Sequence, residues 1–292
     1  MNTFDKKYKE LIRKVRHATL KPTRQGIDAH MIPGAMFEHS LRGGFPLTTL
    51  RKIKFDLISS ELQFNLLGLT DKKWLQDRNN HIWDDWCDPS IVPYKKDEIT
   101  KRKMKKERDL GPLYGFEWRH FGAEYRGYNK NYTEKGIDQI KWLLEMLKSN
   151  PESRRMVVTC WNPSHLDRQS IPPCPFAFEV SVFGKDLHLF FFQRSVDIML
   201  GFPFDFGGYA LLLHLLSKQT GLKAGKVTGY FGNVELYVNQ EKAANNLLIR
   251  NGKQTLPRIK TEKFSSILEW EYTQTKIENY EADSSLKIEI AV

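Results

Sequence analysis

Cysteine is scarce in this chain. The three present, Cys87, Cys160 and Cys174, are an odd number without a C-x-x-C pair, which argues against a disulfide framework and against a structural zinc site. No apolar run approaches the length that spans a bilayer, so a membrane is not an expected partner. The opening residues, Met1-Asn2-Thr3-Phe4-Asp5-Lys6-Lys7, lack the apolar core of a signal peptide, and the expectation is a cytoplasmic protein. No internal repeat, linker or composition shift forces a boundary. The reading is a single domain over residues 1–292, long enough for a sizeable core.

What is plentiful is positive charge. Lys and Arg number 45 against 35 Asp and Glu, a net charge of +10. Such an excess attracts anions: nucleic acid, a nucleotide phosphate or an anionic cofactor. Much of it is local, in Lys95-Lys96 and Lys101-Arg102-Lys103-Met104-Lys105-Lys106. With Pro89 and Pro93 nearby, residues 88–110 read as an exposed basic insertion loop. No zinc-finger spacing or aromatic-rich binding motif accompanies it, which ranks nucleic acid low among partners.

Apolar spacing predicts helices at 4–17, at about 53–68 with Glu61 among its apolar residues, and at 137–148, where Asn150-Pro151 closes the helix. Gly34, Gly43-Gly44 and Pro46 punctuate a region read as short strands. Strands follow at 156–158, 176–183 and 187–193, the last two joined as a hairpin through Gly184-Lys185. Pro203 opens a helix that is apolar nearly all round through Leu216, and hence buried. More strand and loop follow. The sum is one α+β domain.

Two segments carry chemistry. Pro173-Cys174-Pro175 stands about twenty residues before Gln193-Arg194-Ser195-Val196-Asp197-Ile198-Met199-Leu200-Gly201-Phe202-Pro203-Phe204-Asp205. Around them lie Arg24, ten residues before Gly34, then Gly44-Phe45-Pro46-Leu47-Thr48-Thr49, Glu61-Leu62 and Ile82-Trp83-Asp84-Asp85-Trp86. Leu110-Gly111-Pro112-Leu113-Tyr114-Gly115-Phe116-Glu117-Trp118-Arg119, Ile137-Asp138-Gln139-Ile140 and Ser153-Arg154-Arg155 continue the series. Each alone is weak, but in this order and spacing they are specific. Over nearly its whole length the chain resembles the folate-dependent thymidylate synthase superfamily. The resemblance implies that family's fold, a twisted mixed β-sheet flanked by helices, with one sheet face used for dimerisation. It also implies 5,10-methylenetetrahydrofolate as one-carbon donor without a metal, and a homodimer obligatory for activity.

The implied roles have a chemical logic. C5 of a pyrimidine is a poor nucleophile until a thiolate adds to C6, and Cys174 would be that thiolate, with Arg194 as the cation that helps it ionise. Arg24, Arg194 and Ser195 would grip the nucleotide phosphate, and Gln193 lies with them. Arg154 and Arg155 would be lent to the partner subunit's phosphate site. Glu61 would manage protons and ordered water near C4 of the base, and Tyr114 would assist proton loss from C5. Ile82, Trp83, Ile171, Leu200, Gly201 and Phe204 would line the folate site, with Asp197 accepting from the pterin. Ala291-Val292 resembles the family's mobile tail.

Four departures bear on the substrate. Asp205 replaces the family's asparagine, which reads uracil. Cytosine presents an N4–H₂ donor and an N3 acceptor, and a carboxyl accepts from the first while sharing a proton with the second. A site built this way discriminates by roughly 10⁴-fold, because the wrong base leaves buried polar groups unpaired. Pro175 stands where the family has histidine, Glu179 where it has glutamine, and Glu235 where a histidine joins the residue matching Tyr237 at the sugar 3′-hydroxyl. A carboxylate at 235, with glycines at 207 and 208, makes a ribonucleotide conceivable. The expectation is a cytidylate 5-hydroxymethylase acting on CMP or dCMP, in a bacterial cell or a virus-infected host. C5 methylation of dCMP or dUMP stays open, as does a catalytically inactive relative that binds nucleotide or RNA.

Overall fold

The computed structural model of the chain describes residues 1–291; Val292, the terminal residue of the expected tail, lies outside the described residues. Asn2 starts the first helix by accepting from the Asp5 amide at 2.9 Å. The Asp5 carboxylate in turn binds the hydroxyls of Thr48 and Thr49, so part of the Leu47-Thr48-Thr49 signature serves to anchor this helix. The elements are α1 (Thr3–Arg16), β1 (Thr19–Lys21), β2 (Ala29–Ser40), α2 (Phe55–Leu66), α3 (Lys73–Gln76), α4 (Glu98–Lys106), α5 (Tyr114–His120), α6 (Gln139–Ser149), β3 (Val157–Thr159), β4 (Pro175–Phe183), β5 (Asp186–Gln193), β6 (Val196–Asp197), α7 (Gly201–Thr220), β7 (Lys223–Tyr237), α8 (Glu241–Ile249), β8 (Arg258–Thr261) and β9 (Thr275–Glu278).

Seven strands form one mixed, twisted sheet in the order β1-β2-β7-β5-β4-β3, with β6 also on β7; β8 and β9 pair separately. β7 runs parallel to β5 and β6, and the other pairs are antiparallel. One face is covered by α1 and α7, whose Phe4, Tyr8, Phe202 and Phe206 join Phe37, Phe191 and Phe231 of the strands in a single core. The other face exposes Met36 and Tyr230, cross-strand partners at 59% and 39% exposure. Alternation along a strand puts these side chains opposite the buried Phe37 and Phe231.

The expected helices are all present, and α7 runs through the core as its all-round apolar surface requires, ending at Gly221 in the left-handed region (φ 72°). Three expectations need correction. Residues 29–40 form one twelve-residue strand, not several short ones; Gly34 (φ 63°) sits within it and the ladder skips that position. The stretch expected as strand and loop after α7 holds the fifteen-residue central strand β7, despite Gly225, Gly229 and Gly232, but also a helix, α8, that was not expected. A Cβ at Gly229 would lie 2.6 Å from the rings of Phe191 and Phe231, so packing demands the glycine there. Finally, the basic insertion is not loop throughout. Asp97 caps α4 by accepting from the Thr100 amide, and Thr100 and Met104 are buried beneath its lysines.

A buried ammonium fastens this insertion. Lys72, 1% exposed, donates to the carbonyls of Asp84, Trp86 and Met104 at 2.8, 2.7 and 2.7 Å. Burial depresses its pKa, yet three acceptors satisfy all three of its protons. Lys72→Met would leave those carbonyls unpaired, and a loss of about 3 kcal/mol in urea unfolding is expected.

Candidate active site

The C-terminal ends of β5 and β6, the first two turns of α7 and the middle of α2 converge on a cavity of about 940 Å³. Strand β4 begins at Pro175, which leaves Cys174 at the cavity edge. Its backbone N–H donates to the Tyr114 hydroxyl at 3.0 Å, and Arg194 Nη2 lies 3.7 Å from its sulfur. The same guanidinium holds the Pro172 and Pro173 carbonyls at 2.7 and 3.1 Å, so Arg194 both charges and shapes the loop that carries the thiol. Burial is the stronger influence: it lifts the Cys174 thiol to about 11 despite the arginine. Burial also raises Tyr114 well above its ordinary value, so its phenol is neutral.

Two carboxyls line the same cavity. Asp205, on the cavity side of α7, accepts from Gln193 Nε2 at 2.7 Å through Oδ2. Gln193 Nε2 also donates to the Ser195 carbonyl at 3.0 Å, which fixes the amide's orientation; among the described residues no donor engages Asp205 Oδ1. Glu61, on α2, accepts from the Trp83 indole N–H at 2.8 Å through Oε1. Burial raises both carboxyls to about 7, and the charge of Asp205 pushes Glu61 further up. At neutral pH each therefore exchanges a proton readily, as a proton-handling pair must.

Further polar groups line the same space. Glu235 accepts from Ser195 Oγ at 2.7 Å and from the Tyr237 hydroxyl at 3.0 Å. Ser195 was expected at the phosphate, but its proton is directed to Glu235. Asp197 Oδ1 accepts from the amides of Met199 and Leu200, both at 2.8 Å. Its Oδ2 accepts from Gln240, which also binds the Glu289 carbonyl and so links Asp197 to the chain's last residues. Arg24 is exposed at the mouth, and Ile82, Trp83, Ile171, Leu200, Gly201 and Phe204 complete a largely apolar wall with Ile290 and Ala291.

Every sequence-derived site residue within 1–291 lines this cavity except Arg154 and Arg155. Those two are exposed and border a separate surface recess with Asn150, Glu152 and Ser153. Sequence reading missed Gln240 and Tyr209. Tyr209 follows Asp205 by one helical turn, the signal that it shares the cavity face. It also missed the support from the insertion. The Tyr94 hydroxyl donates toward the Cys87 and Ser170 carbonyls at 2.6 and 2.8 Å, and Arg168 pairs with buried Asp88 at 2.9 Å. Residues 88–94 thus brace the segment that leads into Ile171 and Cys174.

Comparison with known proteins agrees with this arrangement. The family model described as Thymidylate synthase matches residues 6–292. The thymidylate synthase of varicella-zoster virus (strain Dumas) is 34% identical over 279 residues, covering 95% of this chain and 91% of the relative. The bifunctional dihydrofolate reductase-thymidylate synthase of Leishmania major is 35% identical over 295 residues, all of this chain but 56% of the relative. That of Paramecium tetraurelia is 31% identical and covered to 61%. The chain thus spans little more than half the length of the bifunctional relatives. Members of the matched family transfer a one-carbon unit to C5 of a pyrimidine nucleotide from 5,10-methylenetetrahydrofolate. The residues present fit that donor: an apolar wall for a flat ring, and in Asp197 a half-buried carboxyl held by two backbone amides. With a thiol, two carboxyls, Arg24 and Arg194 gathered on one cavity and the match running almost end to end, the chain belongs to the thymidylate synthase family.

Proposed function

We propose that the enzyme converts a cytidine monophosphate, CMP or dCMP, to its 5-hydroxymethyl derivative. The observation that carries this reading is the Asp205 carboxyl, with Oδ2 engaged by Gln193 and Oδ1 free in the cavity. A free carboxylate oxygen accepts from the N4 amino group of cytosine. The same group, close to 7, holds a proton for N3. Uracil reverses that pattern, asking for a donor at O4, which the ionised carboxylate lacks. Cys174 adds to C6 and the proton at N3 draws electrons away as it does so. Because the resting thiol is neutral, its proton must leave as substrate binds, with Arg194 3.7 Å away to stabilise the thiolate.

Glu61 handles protons near C4, held in place by Trp83. Tyr114, neutral and bound by the Cys174 amide, would assist proton loss from C5. The folate supplies the carbon at the oxidation level of formaldehyde. Trp83, Leu200 and Phe204 would hold its ring system, with Asp197 for the pterin. Glu235 keeps lone pairs for sugar hydroxyls, and Arg24 and Arg194 would take the phosphate. In a homodimer formed through the sheet face bearing Met36 and Tyr230, Arg154 and Arg155 would serve the partner's phosphate site.

A second reading has a specific basis: the relatives are named thymidylate synthases, and C5 methylation of dUMP follows from those names. Mass spectrometry of products formed from methylenetetrahydrofolate with CMP, dCMP or dUMP separates the two. A cytidine nucleotide gaining CH₂O with release of tetrahydrofolate is the expected result. Gain of CH₂ with dihydrofolate, or turnover of dUMP alone, sinks the proposal.

A further inference from the structure

Helix α7 carries two adjacent glycines, and only one of them is explained by packing. A Cβ at Gly207 would meet Ile58 Cδ1 at 3.0 Å, so that glycine lets α2 and α7 approach closely. A Cβ at Gly208 would meet nothing within 4 Å. Gly208 lies one turn beyond Asp205 and lines the cavity with it, so the missing side chain leaves open space inside the site. A helix interior disfavours glycine relative to alanine, so a void maintained this way calls for a reason.

Polar groups that line the same cavity indicate what fits there. Glu61, Asp205 and Tyr209 lie close enough for their charges to influence one another. Glu61 spends one oxygen on Trp83 and Asp205 spends one on Gln193. Tyr209 is 7% exposed and stacks on Phe191 with centroids 4.4 Å apart; among the described residues its hydroxyl has no hydrogen-bond partner. With cytosine bound, Asp205 Oδ1 is engaged by N4, which leaves the second Glu61 oxygen and the Tyr209 hydroxyl, the two polar partners an ordered water needs at the least.

We infer that the gap at Gly208 holds the water that ends the reaction, making Gly208 the residue that selects a hydroxymethyl over a methyl product. The inference rests on the proposed function and names the residues that decide its outcome. After the carbon has been transferred to C5, the pyrimidine bears an exocyclic methylene and Cys174 remains on C6. The water oxygen bonds to the methylene carbon, and its proton passes to the Glu61 carboxylate. The methylene π pair moves into the ring and expels the Cys174 sulfur from C6 as thiolate, restoring the C5–C6 double bond. No oxidant or reductant is consumed. A side chain at 208 would displace the water and leave the methylene to a hydride donor.

The test uses a 5-tritiated cytidine nucleotide with methylenetetrahydrofolate and measures hydroxymethyl product formed per tritium released. Gly208→Ser is expected to lower that ratio by about ten-fold or more, and Tyr209→Phe, which keeps the stacked ring, by several-fold. Gly208→Ala reports on the space itself: if the gap is open, its Tm rises. Unchanged ratios in folded variants, or a fall in Tm for Gly208→Ala, would overturn this inference while leaving the hydroxymethylase reading intact. No hydroxymethyl product from the unaltered enzyme would remove both.

Discussion

Asp205→Asn is expected to lower kcat/KM for the cytidine nucleotide by about 10³- to 10⁴-fold and to admit the uridine nucleotide. The amide offers one donor and one acceptor, the complement of uracil's O4 and N3–H, whereas cytosine would bring its amino group against a donor. Because Gln193 Nε2 is fixed between the Ser195 carbonyl and residue 205, the amide oxygen would settle toward Gln193. Its NH₂ then points into the cavity. Parallel turnover of CMP, dCMP and dUMP by the variant checks this, and retained cytidylate preference would show that another residue reads the base.

The same substitution has a stability signature. Asp205 ionises near 7 in the folded protein but near 4 once unfolded. As pH rises from 4 to 7 the unfolded chain ionises first, so stability falls across that window, and the loss is complete above it. With about 1.4 kcal/mol per tenfold change in acidity, and some solvent in the cavity, the buried charge costs roughly 2–4 kcal/mol at pH 8. Asp205→Asn should therefore unfold at a higher temperature than the parent at pH 8, with the difference vanishing near pH 3. A variant less stable at pH 8 would mean that Gln193 needs the carboxylate more than burial penalises it.

Cys174→Ser is expected to reduce turnover by at least about 10⁴-fold with any pyrimidine, since a hydroxyl at this position cannot supply the nucleophile that opens C5. The parent should trap a 5-fluorinated nucleotide together with the folate as a covalent ternary complex visible by denaturing mass spectrometry. The variant should bind the nucleotide without the bond. Absence of the complex in the parent would favour a binding protein over an enzyme. Because burial puts the thiol near 11 and Arg194 Nη2 is the cation beside it, Arg194→Lys should slow formation of the covalent complex.

Much of this site was legible in one dimension. Cys174, Asp205, Glu61 and the arginines sit in short segments whose order and spacing are distinctive, and the helices at 4–17 and 53–68 follow from periodicity alone. A fifteen-residue strand interrupted by three glycines gives no such signal, because what requires each glycine lies elsewhere in the chain: the His188 ring at Gly225, the Phe191 ring at Gly229 and the Arg194 backbone at Gly232. The insertion misled for a related reason. Its lysines are exposed as expected, but Lys72, 32 residues from Met104, turns the segment into a buried brace for the active-site loop.

The residue types that line the candidate site, and through them the class of reaction, are properties of the sequence, since thiol, carboxyl and guanidinium chemistry travels with the side chain. Protonation and orientation are not. Only the tertiary structure buries Glu61 and Asp205 enough to bring both near 7, and only it shows burial outweighing Arg194 at Cys174. It alone distinguishes Gly207, which lets two helices touch, from Gly208, which leaves a space. Desolvation and packing depend on what the rest of the chain brings to a point in space, and neighbours in sequence do not specify that.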